Sequence, residues 1–426
     1  MPTDRHPHGS FAGIPEPVRR WSVSRAPTSP RTAVNASTLT RRLSPALAPV
    51  LAAALGCTLL VSAPQGAAAV TCKATPTLLS RTPTTTGLTG GLSVKVWDTG
   101  ATPSNPQAAT RIAVVKVPAS SPLNPRVRGS STLTSSHYPS TYLKYASTAA
   151  VMVNGGVFNL GRAALPDLPQ MTGGRVTKAR NVHDPVIAVG RAGESSPSRL
   201  WLSGTATASG RGYQGISGLN WEYVTGGINV YTTAWGSQTR PYGVVDIVLV
   251  SGKVAGIRYG AYRGKAPAAG QTILTANGTA GTWLTRLPVG TPVSVSYAAH
   301  SDAKFLIHEA VGRGARFLNA GVKNGGTCAT RDEELRPRTA IGWTKTGDLL
   351  FVTVSGRATI NGVRYGGATI HQMADYMQQL GSYDATNLDG GGSTTMLARL
   401  SSGTVVRLDR SLSEAQRAVP NVFGVG

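Results

Sequence analysis

The sequence predicts an α+β fold: β-rich mixed sheet with a few packed helices, in a single large domain behind a leader. Three observations carry that reading. Short runs rich in Val, Ile and Thr recur along the chain, each bounded by turn residues, as strands are. The 51 glycines and 27 prolines supply the many turns that short strands need. Only two segments place apolar residues at helical spacing. With 426 residues, 41% of them hydrophobic, the chain can bury a sizeable core.

From the N-terminus, residues 1–40 are rich in Pro, Ser and Arg and read as unstructured. Residues 43–63 are almost wholly apolar, follow Arg41-Arg42 and lead to Ala67-Ala68-Ala69. That is the pattern of a signal peptide cleaved before Val70. Residues 1–69 are therefore expected to be a disordered extension plus signal peptide, and residues 70–426 the functional domain. A start at Val23 or Val34 would give a leader of ordinary length, and Thr40-Arg41-Arg42 partly matches a twin-arginine signal. Pro45, Pro49 and Pro64 argue against a retained membrane helix. Cys57 sits inside the apolar run with apolar residues after it, so a lipoprotein anchor is rejected. The expected destination is outside the cell or on its wall. Cleavage leaves Cys72 and Cys328, which are expected to pair in an oxidising compartment.

Strands are expected over Arg111–Val117, 149–154, 185–189, 199–203, 227–233 and 292–297. Residues 244–250 and 253–259 flank Ser251-Gly252 as a tight hairpin, and 339–343 and 348–354 flank a second turn. One short helix is expected over 279–287. In the other, Ile370, Met373, Ala374, Met377 and Leu380 recur at helical spacing, with Thr369 as cap and Gly381 as stop. That methionine stripe reads as core packing. No repeat of fixed period divides the chain.

The formal charge of +23 favours polyanionic partners: nucleic acid, a membrane surface, or phosphate-bearing wall polymers. No basic run interleaved with aromatics is present, which disfavours nucleic acid. A plain basic surface explains the charge equally well.

The segment that stands apart is Asn387-Leu388-Asp389-Gly390-Gly391-Gly392-Ser393-Thr394. Three consecutive glycines sacrifice stability through backbone entropy, so they imply close approach of backbone to a ligand. Their N–H groups can face an anion. Asp389 is the candidate general acid or nucleophile, and Ser393 and Thr394 are candidate donors. A long hairpin turn with solvated hydroxyls is the competing reading. His183-Asp184 suggests a dyad or metal ligand only weakly. There is no His-Glu-x-x-His, cysteine cluster or Walker loop, so neither cofactor nor metal is called for.

These residues resemble the signature of the phosphodiester glycosidase family. Asn154-Gly155-Gly156-Val157-Phe158, Arg336-Pro337-Arg338-Thr339-Ala340-Ile341-Gly342 and Arg417-Ala418-Val419-Pro420-Asn421 are similar to further family blocks, in the same order. The resemblance spans roughly 154–426. Val157 departs from the family's aromatic, and Gly312-Arg313-Gly314-Ala315 follows the family pattern only loosely. The resemblance implies hydrolysis of a sugar-1-phosphodiester, with a phosphate-bearing glycan or wall polymer as partner. It implies Asp389 as catalyst, with Arg338, Thr339, Asn154, Asn387, Gly390, Gly391, Gly392, Ser393 and Thr394 binding substrate. Arg338 suits a phosphate because its fork binds two oxygens at once. Spacing fixes no second carboxylate; Glu309, Asp302 and Asp184 are the candidates. The alternative class is a non-catalytic binder of anionic polysaccharide, or an exopolysaccharide assembly protein. A serine hydrolase built on Ser393 lacks the Gly-x-Ser-x-Gly elbow.

Overall fold

The computed structural model describes residues 72–99, 109–162, 164–222, 226–324, 334–360, 362–409 and 415–426. The expected leader and Cys328 lie outside the described residues. Cys72 is disulfide-bonded.

The described chain is predominantly β, as the turn-rich composition predicts, with three α-helices over Pro139–Tyr145, Gly278–Thr285 and Ile370–Gln379. None is long and apolar enough to cross a membrane. The first helix escapes the sequence pattern. It is one short segment that begins on a proline, with no side-chain cap, and it buries only Pro139, Tyr142 and Leu143. The third is the helix the periodicity predicts. Thr369 and Gln372 exchange side-chain and backbone hydrogen bonds in a capping box.

Most strands fall into three sheets. One, of eight strands, runs in the order Thr84–Gly87, Ser93–Asp98, Arg111–Val117, Leu349–Ser355, Arg338–Trp343, Asp384–Asn387, Arg316–Asn319 and Val322–Lys323. A five-stranded sheet holds Val151–Asn154 between Met396–Arg399 and Asn421–Val425, with Pro125–Gly129 and Val405–Arg407 at its edges. The third sheet has eleven strands and includes a parallel pair, Tyr213–Leu219 beside Ile228–Tyr231.

Period-two alternation explains how these layers meet. In the eight-stranded sheet Ile341 and Phe351 point to one face, where they pack with Val151, Val153, Met396 and Phe423 of the five-stranded sheet. The rings of Phe351 and Phe423 stack with centroids 5.5 Å apart. Ala340, Leu350 and Val352 point to the opposite face and meet Met373, Tyr376 and Met377 of the third helix. The central strands are therefore buried on both sides, and they read as unbroken apolar runs. Both predicted hairpins form; Ser251 (φ 49°) and Gly252 (φ 73°) make the first a left-handed two-residue turn.

Candidate active site

Asn387 is the last residue of its strand in the eight-stranded sheet, opposite Ala340. Met396, nine positions later, begins a strand of the five-stranded sheet and pairs with Val153. The glycine segment is thus a crossover between two packed sheets, not a hairpin tip. Leu388 N–H donates to Thr339 O (2.9 Å), Asp389 N–H to Gly155 O (3.0 Å) and Gly391 N–H to Pro337 O (2.9 Å). Gly391 sits at φ 61°, where a side chain would be strained. The Arg417 guanidinium packs over Gly392, where a Cβ would lie 2.4 Å from its Nη2 and displace it.

The crossover lines a cavity of about 410 Å³. Asn387, Asp389 and the three glycines form one wall, with Arg336, Arg338, Arg357, Arg417 and Val157 around them. Of the expected site residues, Arg338, Asn387, Asp389, Gly390, Gly391 and Gly392 line the cavity. Val157, where the family places an aromatic, is an exposed part of the rim.

Asp389 makes no ion pair among the described residues. Its Oδ1 accepts from Gly390 N–H (2.9 Å). Burial lifts its carboxyl to about 6, against the hydrogen bond from Ser393, that from Gly390 and the charge of Arg417; the charge of Asp167 adds to the rise. Ser393 is fully buried, and Arg417 Nη1 donates to its hydroxyl (3.4 Å). Asn387 lines the cavity, and its Oδ1 is buried with no hydrogen-bond partner among the described residues.

Several expected substrate contacts are structural instead. Asn154 is fully buried and outside the cavity lining. Its Nδ2 donates to Asp389 O (2.8 Å) and Gly155 O (3.2 Å); its Oδ1 accepts from Thr339 Oγ1 (2.7 Å) and Thr395 N–H (3.1 Å). Asn154 and Thr339 therefore hold the crossover in place rather than touch a ligand. Thr394 is fully buried as well and does not line the cavity. Arg338 does line it, but its fork is already engaged: Nε donates to Ala368 O and Nη2 to Glu334 O, both at 3.0 Å. The Nε and Nη2 donors of Arg338 thus each hold a backbone carbonyl.

None of the three carboxylates proposed as a second catalyst is here. Glu309 accepts from Val127 N–H, Asp302 from Arg199 N–H (2.7 Å), and Asp184 pairs with Arg180 (2.7 Å). His183 is no dyad member; its ring stacks on Trp201 at 4.0 Å. The acid that does act on Asp389 is Asp167, whose N–H donates to the carbonyl of Val157 on the rim (2.9 Å). Arg417 and Arg336 stood within quoted motif blocks, yet only the fold shows their side chains at the cavity. Arg336 and Arg357 both pair with Glu334.

Residues 245–426 match the model of the phosphodiester glycosidase family. The matched segment contains the Arg338, Asp389 and Arg417 blocks, while the Asn154 block lies before it. It starts inside the strand Tyr242–Val250, so its edge is no structural boundary. No curated protein matches the chain. Among solved structures, a Synechocystis protein aligns at 24% identity with a TM-score of 0.62, over 78% of this chain. This chain spans 62% of the length of that protein. A protein of Burkholderia pseudomallei K96243 aligns at 19% identity with a TM-score of 0.58, over 74% of each chain. Both likenesses concern the fold. The catalytic domain of zebrafish N-acetylglucosamine-1-phosphodiester alpha-N-acetylglucosaminidase, auto-inhibited by its pro-peptide, aligns at 13% identity with a TM-score of 0.41, over 82% of this chain and 90% of that one.

Proposed function

We propose that this chain is an exported hydrolase that cleaves a sugar-1-phosphodiester and releases free sugar from a phosphate-bearing glycan or wall polymer. One observation carries the reading: an acid without an ion-pair partner, its carboxyl lifted to about 6, shares a cavity with four arginines. A pure anion binder gains nothing from a carboxylate at that place, because it repels the ligand.

The phosphate lies against Arg336, Arg357 and Arg417, with the anomeric carbon turned to Asp389. In its ionised form Asp389 serves the anomeric carbon, as nucleophile or as base towards water. The anomeric C–O bond breaks, and its electron pair leaves on the phosphate oxygen, whose charge the arginines offset. Phosphate is a good leaving group, so strong acid assistance is not required. Water supplies the new anomeric hydroxyl.

Incubating the protein with a small sugar-1-phosphodiester in ¹⁸O-water tests this. Free sugar carrying the label supports the reading. Label in the phosphate would mean P–O cleavage, and absence of turnover would favour the non-catalytic binder.

A further inference from the structure

A second cavity, of about 810 Å³, shares no lining residue with the first. The strand Ile307–Gly312 relates the two. Ile307 and His308 line the second cavity, whereas Gly312 abuts Gly156 beside Val157 of the first. At about 3.3 Å per residue, that separation is on the order of 17 Å.

The second cavity has the makings of a polyanion subsite. Arg175 opens one strand of its wall, and Arg191 stands in the turn after another; both are exposed. Among the described residues neither guanidinium forms an ion pair or a hydrogen bond. By contrast, Arg111, Arg180, Arg240, Arg316 and Arg407 each hold a carboxylate. The cavity's one acid, Glu194, is turned back on its own loop, where it accepts from Ala192 N–H (3.1 Å). The ring of Tyr297 and the side chain of Leu306, which is 89% exposed, line the same cavity. An apolar surface beside two uncommitted guanidinium groups suits a sugar ring with a phosphate attached.

We infer that this cavity binds an internal repeat of a phosphate-bearing glycan, so that the protein grips its polymer at a second place away from Asp389. The choice of polymer rests on the proposed function. A single-stranded nucleic acid fits less well, because it calls for successive aromatic platforms and Tyr297 is the one large aromatic ring lining the cavity.

The test is calorimetry on the full chain with a glucosylated poly(glycerol phosphate) oligomer. A neutral dextran of equal length and an oligonucleotide of equal charge serve as comparisons. The inference expects the phosphate polymer to bind best, and Arg175→Ala/Arg191→Ala to weaken it at least about tenfold, the equivalent of one lost charge-assisted hydrogen bond. The same variant should cleave a small sugar-1-phosphodiester with unchanged kcat/KM. Arg191→Glu alone repeats the test should the double variant not fold. Equal polymer binding by wild type and variant would overturn the inference, as would an oligonucleotide bound as tightly as the glycan. Polymer binding without any turnover would sink the proposed function and leave this subsite standing; turnover of the small substrate without polymer binding would do the reverse.

Discussion

Among the aspartates that stand near arginines, two are treated in opposite ways. Asp246, in the eleven-stranded sheet, accepts from Arg240 Nη2 and Thr275 Oγ1, each at 2.6 Å. Arg240 in turn donates to Thr275 Oγ1 and to Lys265 O, both at 2.8 Å, and lies over the ring of Tyr231 at 4.8 Å. Every charge there is matched, and the cluster is buried. Asp389 has Arg417 nearby but accepts only from a neighbouring backbone N–H and a serine hydroxyl. A matched pair is structure. A buried carboxylate without an ion pair is the kind of group that the proposed function draws on, and burial raises its pKa.

The largest effect should come from breaking the matched pair. Asp246→Ala leaves Arg240 buried without its carboxylate and should cost about 3–5 kcal/mol in denaturant unfolding. A loss below about 1 kcal/mol, the size of a surface pair, would remove the contrast.

Asp389→Asn should do the reverse, with turnover falling by at least about 10²-fold and the fold intact. Its stability should also shift with pH in a definite sense. The folded acid holds its proton more tightly than the unfolded one, so the contribution of Asp389 to stability is most favourable at low pH. It declines as pH rises from the ordinary carboxyl range through about 6. Asn carries no such penalty. The difference in melting temperature between variant and wild type should therefore grow in the variant's favour from pH 4 to pH 7.5. A constant difference would mean that Asp389 is not buried as described.

Arg417→Ala should lower kcat/KM by roughly ten- to a hundredfold, the range for one hydrogen bond to a charged group. It should also move the acid limb of the pH–rate profile upwards, since its charge holds the Asp389 carboxyl down. The smallest effect belongs to Asp167→Asn, which should move the same limb downwards by removing a like charge. Limbs that shift the same way in both variants would refute the electrostatic account.

Much of this was legible in the chain. Central strands showed as apolar runs because both faces are buried, and the third helix showed through its cap and its stripe. The Asp389 segment stood out because three glycines are costly unless something requires them. The division of labour was not legible. Asn154, Thr339 and Thr394 look like ligand contacts as polar residues within or beside motifs, but the sheet interface covers them. Arg338 looks like a phosphate fork, but its partners are carbonyls near residues 334 and 368 that only the fold brings close. Arg417 enters the cavity because Gly392 leaves room for it, a relation across 25 positions that no local pattern encodes.

The bonding between Asn154-Gly155 and Asp389 has a consequence for motion. Asp389 donates its amide to Gly155 O and receives Asn154 Nδ2 on its carbonyl, while the same Asn154 accepts from Thr339 and Thr395. The Asp389 carboxylate is therefore carried on backbone that cannot swing without parting two sheets. Its amide proton should exchange with solvent on the timescale of opening the core, more slowly than those of exposed loops. A ligand arriving there meets a wall already set, and little of its binding energy is spent on ordering the protein.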